Sequence, residues 1–206
     1  MENNISYKFE LHKKWVETIG KEGEKLSLDE VDLRSFDLSE KLLEQAYLTD
    51  CIFDNLNLKN IDFHTSVLCS STYINANLNE CDFYKSNLSY TDFSNSIMES
   101  VRFSKSDCSE AIFRNADFTE CKLINVCFYL TDFSNARLND VDISGATFEE
   151  TLLKGVILKN IKGIEEAHFQ SINIGTLDQP ILLKSEEAKK WVVEIAKSKF
   201  SSNIIF

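Results

Sequence analysis

Apolar residues recur along this chain with a period of five. From Leu33 to Leu158 every fifth residue is apolar, 26 positions of which 22 are Leu or Phe. Two residues before each centre the chain places a small or apolar residue, as at Ala76, Ser86, Ala111, Ala116, Ala136 and Ala146. Immediately before the centre, Asp or Asn fills 12 of the 26 positions. A period of five fits neither the 3.6 of a helix nor the 2.0 of a strand. It fits a chain that turns a corner at every quintet, with two residues of each quintet facing inward and three outward. Four quintets then close one square coil.

Positions twenty apart test that closure independently. They align Phe53, Tyr73, Phe93, Phe113 and Phe133 in an aromatic column, and Asn55, Asn75, Asn95, Asn115 and Asn135 in a second column on the same wall. Identical side chains stacked between β-layers form such ladders. At about 4.8 Å per coil, the quintets from Val31 to Asn160 make a rod roughly 31 Å long. One Pro and six Gly are few for a β protein joined by ordinary hairpins, so the corners must be made another way.

The order small residue, Asp or Asn, Leu or Phe, then two variable residues resembles the repeat of the pentapeptide-repeat family. The resemblance covers roughly two thirds of the chain. It implies an all-β, right-handed quadrilateral β-helix with tight turns at the corners. Some members of that family bind DNA gyrase and protect it from quinolones and peptide toxins. The stretch Leu11-His12-Lys13-Lys14-Trp15 with Gly20 and Gly23 also looks like the entry segment of bacterial members.

A solenoid must cover its open ends, or other chains add to its edges. Phe9, His12, Trp15, Val16 and Ile19 share one helical face, with Gly20 as a stop, and predict an N-terminal capping helix. Phe36, Lys41 and Leu56 are large where small residues are usual, as though plugging the first coil. At the far end Gly163 replaces a centre, and Phe169 and Ile174 resume the pattern one residue late. A loop through Asp178-Gln179-Pro180 follows. Ser185 is placed to cap a helix reaching about Lys199, with Ala188, Trp191, Val192, Ile195 and Ala196 on its apolar side. That helix is either a second cap or a homodimer contact through Trp191, Ile195 and Phe200, as the resemblance implies. The last residues, Ile204, Ile205 and Phe206, are apolar and need a cover. The expected organisation is one structural domain: a cap and lead-in over 1–30, the solenoid over 31–160, and a shifted coil, loop and helix over 161–206.

Charge distributes by wall. The chain has 33 acidic and 22 basic residues, a formal net charge of -11. That argues against direct nucleic-acid binding, which needs a basic footprint. The wall centred on Leu48, Leu68, Leu88, Cys108, Phe128 and Phe148 (the Leu68 wall) carries Asp50, Asp107, Glu110, Glu149 and Glu150 and no base. It also turns outward Tyr47, Val67, Tyr90, Tyr129 and Leu130. The opposite wall, centred on Leu38 to Leu158, has seven acids and three bases. The remaining two, the Phe53 and Phe63 walls, nearly balance. Acid beside exposed tyrosine suits a protein-binding surface, since aromatics anchor interfaces. Tyr47, Asp50, Tyr90, Asp107, Glu110, Tyr129, Glu149 and Glu150 are its candidate residues.

Catalytic chemistry finds no foothold. His12, His64 and His168 fall on three separate elements, and no Gly-rich phosphate loop, nucleophile elbow or paired zinc-binding Cys motif occurs. Cys51, Cys81, Cys108 and Cys121 face inward as small core residues, whereas Cys69 and Cys127 face outward as the candidate reactive thiols. No signal peptide or membrane-length apolar run is present. The expectation is a non-catalytic cytoplasmic protein without cofactor or metal, which binds or scaffolds a protein partner and no membrane. The alternative is a DNA-mimicking gyrase or topoisomerase binder. Duplex DNA carries one charge per about 1.7 Å, or roughly 18 over the rod's length. The repeat region nets only -9, spread mostly over two opposite walls.

Overall fold

The computed structural model describes residues 2–198. Each quintet forms one wall, and each wall pairs in parallel with the same wall of the next coil. Ile97–Glu99, Asp117–Thr119, Arg137–Asn139 and Ile157–Lys159 stack in one sheet, aligned residue for residue at a spacing of twenty. Single parallel bridges repeat that spacing elsewhere, as in Asp62↔Asp82↔Arg102↔Lys122↔Asp142. The result is a β-solenoid of about seven coils with a helix at each end.

The expected inward centres hold, although Ser104, Asp132 and Leu152, at outward positions, are buried as well. Every centre from Leu33 to Leu158 is buried. The two aromatic walls meet inside the rod. Phe53, Tyr73, Phe93, Phe113 and Phe133 stack with ring centroids 4.5–5.1 Å apart. Phe63, Phe83 and Phe103 stack at 5.0 and 5.1 Å on the opposite wall. Between the columns the rings meet edge to face at about 6 Å, the arrangement that the ring quadrupole favours.

The structure gives each recurring element of the quintet a physical task. From Gln45 to Asn160, every quintet-closing residue has a left-handed backbone, with φ between 51° and 69°. An i→i+3 hydrogen bond closes the corner, as from Ser66 N–H to Phe63 O at 3.1 Å. Asn tolerates that backbone best after Gly. The Asn column is therefore a column of corners, and Asn75 and Asn115 also donate to Asn55 and Asn95 one coil away. The Asp or Asn before the centre accepts the N–H two residues on, as Asp62 does from His64 and Asp92 from Ser94, both 2.8 Å. Inward Ser, Thr and Cys donate to a centre carbonyl 23 residues earlier, as Ser71 does to Leu48 and Ser86 to Phe63, both 2.7 Å. These bonds satisfy polar groups that would otherwise be buried unpaired.

Tyr73 breaks this economy. It is fully buried in the phenylalanine column and its hydroxyl has no hydrogen-bond partner. Burial pushes its phenol pKa well up. An unsatisfied buried hydroxyl costs roughly 1–3 kcal/mol. Tyr73→Phe is therefore expected to raise stability by up to that amount, read as a higher urea midpoint with an unchanged slope.

The ends hold most of the differences from expectation. The ladder already runs at Ser27–Asp29, paired with Tyr47–Thr49, four residues before Val31. The helix α1 (Glu2–Glu17) lays Ile5, Phe9 and His12 over the open first coil. Ile19 is not on that face. The chain leaves α1 through Ile19 at φ 56°, and its side chain is 90% exposed. The N–H groups of Ile19 and Gly20 bond back to Val16 and Trp15, which turns the chain away from the core. Lys41 is half-buried, and its ammonium reaches Glu10 at 3.5 Å beside the Phe9 ring.

At the other end the one-residue slip is present: Phe169 pairs with Phe148 and Ile172 with Thr151. The strand Leu182–Lys184 then folds back antiparallel on Ser171–Asn173. The helix α2 (Ser185–Lys197) follows, with Ala188 and Val192 buried against the last coil. Ser185 does not cap it. Its N–H bonds to Gln170 O at 3.2 Å and its φ is 46°, so it turns the chain from strand into helix, and the cap position falls to Lys184, which makes no side-chain cap bond. No helix among the described residues is long and apolar enough to cross a membrane.

Candidate protein-binding wall

The structure separates the candidate residues of the Leu68 wall into two groups. Tyr47 and Asp50 lie at the N-terminal end, two coils from Tyr90. Tyr47 is 45% exposed, but the Lys25 ammonium sits 4.5 Å from its ring centre. Lys25 belongs to the lead-in, beyond the reach of the repeat pattern. The wall also gains Asp29 and Glu30 from the earlier start of the ladder.

The second group is continuous. Tyr90, Glu110, Leu130 and Glu150 close the same quintet of successive coils in one corner column. Tyr129 and Glu149 stand beside the last two. The neighbouring Glu110 carboxylate holds the Tyr90 phenol pKa above its usual value. Tyr90, Tyr129 and Leu130 are 58%, 38% and 40% exposed. Leu130 thus joins the patch as a main apolar contributor.

Its backbone makes the patch unusual. Among the corner residues from Gln45 to Asn160, only Tyr90 and Leu130 are large and apolar, at φ 62° and 52°. A large side chain in this region costs of order 1 kcal/mol relative to Gly or Asn. Their partial exposure returns only part of that cost through burial. Asp107 serves the fold instead: its carboxylate accepts the Ser109 N–H at 3.0 Å and the Ser109 hydroxyl, closing its own turn.

The other candidates fall elsewhere. Trp191 and Ile195 are half-buried against the end of the solenoid, so much of their apolar surface is used in capping; Phe200 and the Ile204-Ile205-Phe206 stretch lie outside the described residues. Burial pushes the thiol pKa values of Cys81 and Cys121 up to about 12 and raises that of Cys69, which disfavours the thiolate. His64 faces outward and bonds Asp62 at 2.9 Å. No cluster of metal-ligating side chains occurs among the described residues.

Square coils, a left-handed corner every fifth residue and paired inward positions define a repeat protein that presents flat walls. This chain belongs to the pentapeptide-repeat family: the family model, Pentapeptide repeats, matches eight copies over residues 27–64, 66–99, 96–135 and 131–160. Among solved structures, it is similar to a pentapeptide repeat protein from the Arabidopsis thaliana thylakoid lumen (18% identity, TM-score 0.43, covering 58% of this chain and 69% of that one). It is also similar to HetL of the cyanobacterium Nostoc, involved in heterocyst differentiation regulation (19%, 0.40, 73% and 87%). A third is QnrB1, a plasmid-mediated fluoroquinolone resistance protein (12%, 0.35, 75% and 93%). No curated protein sequence matches it.

Proposed function

We propose that this chain is a non-catalytic binding protein that holds a protein partner on the Leu68 wall, anchored by Tyr90, Tyr129 and Leu130 around Glu110. The placement of Tyr90 and Leu130 carries the reading: large apolar side chains, exposed, at two corners where they cost stability. Aromatic anchors with a polar rim are the usual composition of an interface centre. Seven carboxylates on this wall, over roughly 29 Å, make less than half the charge line of a duplex of that length. A protein surface with basic and apolar groups suits it better than a site built to read DNA.

The double variant Y90N/L130N separates binding from folding. Asn suits both corners, so stability is expected to rise by roughly 1–2 kcal/mol. Partners cross-linked to the wild-type chain in its own cells are expected to be lost. A Ser94→Ala control on the Phe53 wall should retain them. Identical partner sets for Y90N/L130N and wild type would overturn the assignment. In a gyrase supercoiling assay, with and without quinolone, the purified chain is expected to have no effect at micromolar concentration.

A further inference from the structure

The neighbouring Phe63 wall carries an island of positive charge on this acidic rod. Tyr84 stands at its centre. The Arg102 guanidinium lies 4.6 Å from the Tyr84 ring centre, with the Lys85 and Lys105 ammonium groups at 5.3 and 5.8 Å. Asp82 grips Arg102 through both carboxylate oxygens, which fixes the guanidinium over the ring. Lys122 pairs in register with Arg102 one coil on. Lys85, Lys105 and Lys122 are exposed, and none forms an ion pair among the described residues.

This arrangement works against the fold's own preferences. Like charges in register on adjacent strands destabilise a sheet. Here Lys85 and Lys105 close quintets of successive coils at left-handed corners, and Arg102 and Lys122 face each other beside them. On the wall centred on Leu38 to Leu158, by contrast, opposite charges stand in register, as in Asp117 with Arg137. Asp62 and Asp142 bound the island along the rod, one on each side.

We propose that this island, formed by Lys85, Arg102, Lys105 and Lys122 around Tyr84, binds a short acidic segment of a protein. The fixed guanidinium and the mobile ammonium groups supply charge-assisted donors for carboxylates. The tyrosine ring gives the segment an apolar floor. The bounding aspartates set its length. An anionic chain longer than the four coil spacings from Asp62 to Asp142, roughly 19 Å, meets one of them. A nucleic-acid strand would meet both these and the acidic wall around the corner, so a brief run of Glu or Asp fits better.

Labelled hexaglutamate, hexaglutamine and a six-residue oligothymidylate serve as probes, with binding read by fluorescence anisotropy at low ionic strength. Hexaglutamate is expected to bind, to weaken as salt rises, and to outcompete both others. K85N/K105N keeps corner-compatible residues, so its melting temperature should not fall, and its hexaglutamate affinity is expected to drop roughly ten-fold. Lys154→Glu, on the Phe53 wall, should leave affinity within about two-fold. Absence of hexaglutamate binding, equal binding by K85N/K105N, or tighter binding of the oligothymidylate would each overturn the proposal.

Discussion

Phe93→Ala is expected to destabilise the protein by roughly 3–5 kcal/mol, the range for truncating a fully buried phenylalanine. Phe93 is fully buried and stacks between Tyr73 and Phe113 at 5.0 and 4.9 Å. Phe83 and Phe103 meet it edge-on from the opposite wall at 5.9 and 6.0 Å. Its removal therefore opens a void flanked by four rings. Those rings are tied to a backbone that is hydrogen-bonded to the coils above and below, so the void cannot collapse. Leu fills centre positions elsewhere in this chain, and Phe93→Leu is expected to cost less than half as much. Urea denaturation followed by far-ultraviolet circular dichroism measures both. A loss for Phe93→Ala no larger than for Phe93→Leu would mean that the void carries no cost and that lost ring stacking accounts for the whole effect.

That column was legible from residue spacing alone, because the side chains that share a wall must recur at the coil length. The two inward positions were legible for the same reason. The corner backbone was not. A five-residue pattern says where the chain turns, whereas the left-handed φ at Tyr90 and Leu130 appears only when the corner is built. In the sequence Tyr90 is therefore one exposed aromatic among several, and Leu130 shows its weight only at its corner. The start of the ladder was hidden by Leu26, which is large where a small inward residue is usual, although Leu28 keeps the centre register. Local charge chemistry was hidden too. The Phe63 wall nearly balances when its charges are counted, yet Asp82 neutralises Arg102 alone and leaves the lysines clustered. Asp107 shows the converse, an acid that looks available in sequence but is committed to its own turn.

His12 fastens the N-terminal cap, and its replacement is expected to cost roughly 2–4 kcal/mol. The ring is fully buried and stacks on Trp15. Its Nδ1 accepts the Leu26 N–H at 3.0 Å and its Nε2 donates to the Glu44 carbonyl at 3.1 Å. One neutral imidazole thus joins α1 to the first coil at two points. His12→Ala leaves both backbone groups buried without partners and opens a hole beneath α1. Burial lowers the imidazole pKa below its ordinary 6.5, the Glu44 carbonyl opposes that shift, and nearby Lys25 adds to it. The unfolded chain therefore takes up a proton first as pH falls. The cap's contribution is fully present above about pH 6.5 and declines as pH drops from there towards the folded pKa. His12→Gln can still donate to Glu44 but has no group that titrates near neutrality. Its stability should vary less between pH 7 and pH 5 than that of the wild type. Amide exchange localises the effect: in wild type, acidification to about pH 5 should raise the relative opening of α1 and Ser27–Asp29 first, while the Phe93 coils stay protected. Equal pH dependence in wild type and His12→Gln would remove His12 as the cause.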